Sequence, residues 1–181
     1  MTFSGLVRSR QSVRKYSKQP VEADKLGLCV EAVRLAPSAS NGQPWRIIVV
    51  DEPGLCESVA KACVGPGSNF NRFAIQAPVL VAFVVEKSSA INQIGALIKS
   101  RDYPLLDIGI AAAHFSLQAA ELGLGSCMMG WFAEGKIRKL LGVPATKRLA
   151  LVISLGYPEV GDKLRTKVRK RVDAILGRNH Y

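Results

Sequence analysis

"DIGIAAAHFSLQAAELG" (residues 107–123) is the stretch on which the fold turns. Asp107 offers a side-chain oxygen to a first helical turn, and Gly123 supplies a left-handed stop. The segment therefore predicts one helix running from Asp107 to Gly123. Apolar and small residues occupy almost its whole circumference. Such a helix is buried on several sides, and its alanines admit a close neighbour. It needs packing partners on more than one flank.

The flanking sequence supplies them. "RIIVV" (46–50) and "RLALVISLGYP" (148–158) are short apolar runs that predict buried strands. "APVLVAFVVE" (77–86) is apolar on both alternating sets, which predicts a strand covered on both faces. Residues 21–35 place Leu26, Cys29, Val30 and Val33 on one helical stripe, and Pro37 blocks continuation. Shorter helices are expected at 3–10, 52–65 and 134–144, the last closed by Gly142 and Pro144, and "RVDAILG" (171–177) reads as a short amphipathic piece. Residues 88–106 mix helical spacing in "INQIGALIK" with a break at "SRDYP". Three strands among about five helices predict a single domain over residues 1–181, α+β or α/β, with helices on the faces of its sheet.

Composition narrows the function. The net charge of +11, from 25 Lys and Arg against 14 Asp and Glu, points to an anionic ligand, nucleic acid or an acidic surface. No apolar run is long enough to span a membrane, and the first residues carry no apolar secretory core, so a cytoplasmic protein without membrane partners is expected. The four cysteines, Cys29, Cys56, Cys63 and Cys127, form no CxxC pair, and only His114 and His180 are available beside them, so no zinc site is expected. They read as small buried thiols in a reducing compartment. "GLGSCMMG" (123–130) has the wrong glycine spacing for a dinucleotide fingerprint, and "GWFAEGKI" (130–137) carries Ile137 where a P-loop needs Ser or Thr. His114 on an apolar helix reads as packing, and no nucleophile elbow is present.

Two basic clusters remain. Arg8, Arg10, Arg14 and Lys15 surround Ser12 near one end, and Lys163, Arg165, Lys167, Arg169, Lys170 and Arg171 crowd the other. In an extended chain the alternation in "KLRTKVR" (163–169) puts its charges on one side. Together the ends would form a phosphate site with Arg10, Ser12 and Arg14 as donors. Nucleic-acid binding is disfavoured because no aromatic residue interleaves with the C-terminal basic run. "APSASNGQPWR" (36–46) is also far more polar than a helix-to-strand connector requires.

"RQSVRKY" (10–16), "APSASNGQPWR" (36–46), "DIGIAAAHFSLQAAELGLGSCMMGWF" (107–132) and "LGYP" (155–158) resemble, in order and spacing, the FMN-dependent nitroreductase family, and specifically its compact members. The resemblance implies an α+β fold with a central mixed or antiparallel sheet flanked by helices. It also implies an intertwined homodimer with two FMN sites at its interface, the small-residue helix lying at the dimer core. Arg10, Gln11, Ser12 and Arg14 match the family's phosphate and ribityl contacts, and Lys167 and Arg169 its C-terminal basic pair. Pro37, Ser38, Ala39, Asn41 and Gln43 match the loop that reaches the flavin, partly from the second subunit. Met128, Met129, Gly130 and Trp131 match the segment along the flavin, where a backbone N–H faces N5. Either Asn69 or Asn71 matches the mid-chain asparagine, and Trp131 either narrows the pocket or packs on the fold. The implied activity is oxidation of NAD(P)H through FMN, with electrons passed to a nitroaromatic, quinone or similar acceptor and no catalytic side chain required. A specialised flavoenzyme of the same fold (an ene-reductase, a dehalogenase or a flavin-consuming enzyme) is the first alternative. A basic nucleic-acid-binding domain without catalysis is the second.

Overall fold

The computed structural model describes residues 1–65, 69–87 and 101–181. Its centre is a four-stranded sheet of β1 (Trp45–Val50), β2 (Val79–Val85), β3 (Gly125–Met129) and β4 (Leu149–Gly156). The strand order is β1-β2-β4-β3 and every pairing is antiparallel, so the sheet is not mixed among the described residues. Helices α1 (Phe3–Ser9), α2 (Ala23–Arg34), α3 (Pro53–Cys63), α4 (Tyr103–Glu121) and α5 (Glu134–Leu140) surround it.

The alternation of β2 explains the layering. Leu80, Ala82 and Val84 face a core shared with Val59 and Cys63 of α3 and Ile137 of α5. Val79, Val81 and Phe83 face the other core, with Cys29 and Val33 of α2 and Ile108, Ala112 and Phe115 of α4. Successive side chains of a strand point to opposite faces, so a strand apolar at every position is one covered twice. Phe83 and Phe115 meet edge to face, with centroids 6.4 Å apart; burial of each ring stabilises the fold by about 1.5–3 kcal/mol.

Three expectations are corrected. Helix α4 begins at Tyr103, not Asp107, and its cap is Asp102, whose Oδ1 accepts from the Leu105 N–H at 3.4 Å. Pro104 in the first turn fixes that start, and Asp107 lies one turn inside. "GSCMM" (125–129) is a fourth strand where three were expected. Its small residues carry little strand signal, and it forms because β4 offers a free edge. The piece at 171–177 contributes only a 3₁₀ turn, Val172–Ala174. The ambiguous region falls partly at residues 88–100, outside the described residues; its remainder opens α4. All four cysteines are free and buried.

Candidate functional site

The N-terminal segment lies along the edge of β3. The Val13 N–H donates to the Ser126 carbonyl at 3.0 Å, and Ser12 bridges Ser126 in parallel. Gly125 permits this approach, because a Cβ there would stand 2.6 Å from Val13 Cγ2. Tyr16 is the second anchor. Its hydroxyl bonds Ser154 Oγ at 2.7 Å and the Val13 carbonyl at 2.9 Å, and burial pushes its phenol well above its ordinary pKa.

The chain leaving β4 runs back along the same segment. The Ser17 N–H donates to the Tyr157 carbonyl at 2.9 Å, and Glu159 N–H to the Lys15 carbonyl at 3.0 Å. Gln11 Oε1 then accepts from the Arg165 N–H at 3.0 Å, Arg165 donates to the Ser12 carbonyl at 2.5 Å, and Lys167 Nζ donates to the Arg10 carbonyl. The two basic clusters therefore meet. Desolvation, followed by the nearby charges of Arg10, Arg169 and Arg165, holds the Lys167 ammonium below the ordinary lysine pKa. Arg165 pairs with Asp162 at 3.3 Å.

Beside this cluster is a cavity of about 380 Å³, lined by Arg10, Ser12, Ala113, Ser116, Leu117, Ser126 and Met128. Burial pushes the thiol of Cys127 upward, against the opposing influence of Arg14 and Ser12 next to it. Arg14 itself is exposed, with its guanidinium 5.8 Å from the Phe73 ring centroid, and does not line the cavity.

The other expected residues are placed as follows. Met128 is 42% exposed and reaches the cavity, but Met129 is 2% exposed and belongs to the α3/α5 core. Any ligand contact of Met129 is therefore through its backbone. A Cβ on Gly130 would meet nothing within 4 Å. Trp131 is 69% exposed, so its ring does not pack into the core, and its carbonyl accepts from Asn71 Nδ2 at 2.7 Å. Asn71, left-handed with φ 59°, also donates to the Cys63 carbonyl, so it is the asparagine that holds this segment. Asn69 Oδ1 accepts from Arg72 at 3.5 Å. Trp45 is half-buried against the α2/α4 core, and His114 bonds the Ile110 carbonyl of its own helix.

The polar loop stands apart from the cavity lining. Pro37 is exposed at its start. Ser38 Oγ accepts from the Gln43 N–H at 2.9 Å, and Gln43 Nε2 donates to Asn41 Oδ1 at 3.1 Å. Ser40, Asn41 and Gln43 all have positive φ, at 49°, 51° and 43°. The Ala39 N–H donates to Asp107 Oδ1 at 3.1 Å. Asp107 and Arg165 were not among the expected site residues. The alternation in "KLRTKVR" carried the signal for Arg165; Asp107 looked like a helix cap.

Arg10, Arg165, Lys167 and Arg169 repel one another while only Arg165 has an acidic partner among the described ion pairs. That donor set suits a phosphate, the phosphate of FMN included, since a bound dianion offsets the repulsion with charge-assisted hydrogen bonds.

Such a cluster beside a partly apolar cavity, on an α+β chain, suits a phosphorylated organic ligand. Comparison with known proteins gives the family: the chain belongs to the Nitroreductase family, whose model matches residues 7–66 and 64–157. It is 29% identical over 162 residues to a putative NADH dehydrogenase/NAD(P)H nitroreductase of Archaeoglobus fulgidus, covering 85% of this chain and 84% of that one. It is 24% identical over 168 residues to an iodotyrosine deiodinase of Thermotoga neapolitana, covering 85% and 87%. Among solved structures, an FMN-dependent nitroreductase of Clostridium difficile R20291 superposes with TM-score 0.78 at 29% identity, covering 99% of this chain and all of that one.

Proposed function

We propose that this protein is an FMN-dependent NAD(P)H oxidoreductase that works as a homodimer. The carrying observation is the convergence of Arg10, Arg165, Lys167 and Arg169 from the two ends of the chain. Arg10, Lys167 and Arg169 hold the phosphate, with the Ser12 hydroxyl as a further donor. Gln11 acts indirectly, because its amide holds the tail in place. The backbone of Met128–Trp131 borders the flavin ring and supplies an N–H to its edge. The Pro37–Gln43 loop reaches the ring, partly from the second subunit. When bound, FMN would accept hydride from NAD(P)H and pass electrons to a nitroaromatic, quinone or similar acceptor in a ping-pong cycle. No acid or base of the chain is required for that chemistry.

The dimer is supported by an apolar face that α4 leaves open. Leu106 and Ile110 are exposed there beside Gly109 and Ala113, and small residues allow close helix approach. Four free, buried thiols suit a reducing cytoplasm. A second reading is reductive dehalogenation on the same cofactor, which the iodotyrosine deiodinase relative favours.

The test is purification with FMN, anaerobic bleaching by NADH and NADPH separately, and reoxidation with nitroaromatics, quinones and halogenated phenols. Bleaching followed by reoxidation with the first two groups supports oxidoreductase function. Reoxidation only by halophenols, with halide release, supports the second reading. A protein that binds no FMN overturns both.

A further inference from the structure

Asp107 is a carboxylate inside an apolar core. It is 4% exposed, between Ile108 and the buried alanines of α4, and among the described residues its Oδ2 meets no hydrogen-bond partner. A buried carboxylate with an unpaired oxygen destabilises a fold, and an apolar residue of similar size usually serves stability better. Packing does not account for it. Helix capping does not either, since Asp102 fills that role.

Its hydrogen-bond partner among the described residues does. Asp107 Oδ1 receives the N–H of Ala39 at 3.1 Å. Ala39 immediately precedes Ser40 and Asn41, both left-handed, and Gln43 follows in the same region of conformational space. Left-handed residues other than glycine persist only where surrounding contacts over-determine them. Contacts within the loop and one from outside it do so here. Ser38 Oγ closes the loop on itself through the Gln43 N–H. Asp107 fixes the closed loop to the rigid second turn of α4. A charged acceptor makes a stronger bond to a backbone N–H than a neutral one, which gives the carboxylate a purpose that offsets its burial.

We propose that Asp107 is a positioning residue that sets the Pro37–Gln43 loop in its FMN-receiving conformation. The proposal rests on the FMN reading above and adds to it a residue outside the cation cluster and outside the loop. Asp107 acts on the cofactor through Ala39, not by touching it.

The experiment compares the full-length protein with Asp107→Ala and Asp107→Asn. FMN affinity is measured by flavin fluorescence, the environment of bound flavin by visible-region circular dichroism, and stability by thermal unfolding without FMN. Asp107→Ala is expected to weaken FMN binding about tenfold or more, the loss of one charge-assisted bond, and to alter the visible dichroism, while the unfolding temperature holds or rises. Asp107→Asn keeps an oxygen for Ala39 and is expected to restore affinity to within about threefold, the neutral bond being the weaker one. Wild-type affinity and dichroism in Asp107→Ala overturn the proposal, as does an Asp107→Asn variant no better than Asp107→Ala. Failure of the wild-type protein itself to bind FMN overturns the underlying reading as well, and so separates the two failures.

Discussion

The cation cluster and the Pro37–Gln43 loop reach order by different routes. The cluster joins residues more than 150 positions apart, through bonds such as Gln11 to Arg165 and Lys167 to Arg10. Its members are like charges, so main-chain docking holds them together against their own repulsion. The loop is closed by bonds that span five residues or fewer, Ser38 to Gln43 and Asn41 to Gln43, with Asp107 as its anchor. Loop closure costs more as separation grows. One half of the proposed site therefore depends on the whole fold and on a ligand anion, and the other is locally preformed.

The largest effect should come from the cluster. Replacing Arg10 and Lys167 together with alanine removes two charge-assisted contacts of about 1.5–3 kcal/mol each, so FMN affinity should fall about a hundredfold or more. Repulsion is relieved at the same time, so thermal stability should hold. Flavin fluorescence titration reads the first and thermal unfolding the second; unchanged FMN affinity would break the phosphate assignment.

Gly125→Ala separates the halves structurally. The new Cβ would lie 2.6–2.8 Å from the Cβ and both Cγ atoms of Val13, and a β-branched side chain has few rotamers in which to retreat. The expected cost is about 1–3 kcal/mol of stability. Undocking of residues 10–13 should also reduce hydrogen-exchange protection at Val13 and Arg165, while Ala39 keeps its protection. Equal loss at Ala39 would show that the loop depends on the cluster after all.

The contrast also explains what was legible in the sequence. β2 and the apolar stripe of α2 could be read because burial is written in their own side chains. β3 could not: "GSCMM" has two small residues in its first two positions, and its pairing comes from β4 and from Val13. The basic ends announced an anion site, but their meeting is set by main-chain bonds of the tail, which no residue pattern encodes. The alternation in "KLRTKVR" put Arg165 on the same side as Lys167 and Arg169, but its bonds to Gln11 and Ser12 followed only from that docking. The loop's polarity was visible, whereas the tie to Asp107 depends on a helix that begins one turn earlier than its most conspicuous acid suggested. The Asn71 amide spans Cys63 and Trp131, a tertiary relation that the loop sequence does not encode.

A smaller effect is expected within the loop. Ser38→Ala removes the acceptor for the Gln43 N–H, a bond worth about 1 kcal/mol, and should weaken FMN binding about fivefold. Titration of the variant with FMN checks this. A loss as large as that from the double cluster variant would mean that the loop, not the cations, dominates affinity.

The smallest effect is a pH dependence that belongs to the cluster alone. Desolvation and the neighbouring Arg10, Arg169 and Arg165 lower the Lys167 pKa in the free protein. A lowered lysine binds fewer protons folded than unfolded, so in the alkaline window below the ordinary value its share of stability rises with pH. Anion binding has the opposite sign. A bound phosphate favours the charged ammonium and raises its pKa, so binding takes up a proton in that window. FMN affinity should therefore fall as pH rises from about 7 towards the ordinary lysine value of about 10.4. Arginine stays protonated throughout that range. In Lys167→Arg the fall should be shallower than in the wild-type protein, with effects common to both proteins cancelling in the comparison. Parallel slopes in the two proteins would remove Lys167 from the anion site and leave Arg10, Arg169 and the Ser12 hydroxyl to hold the phosphate.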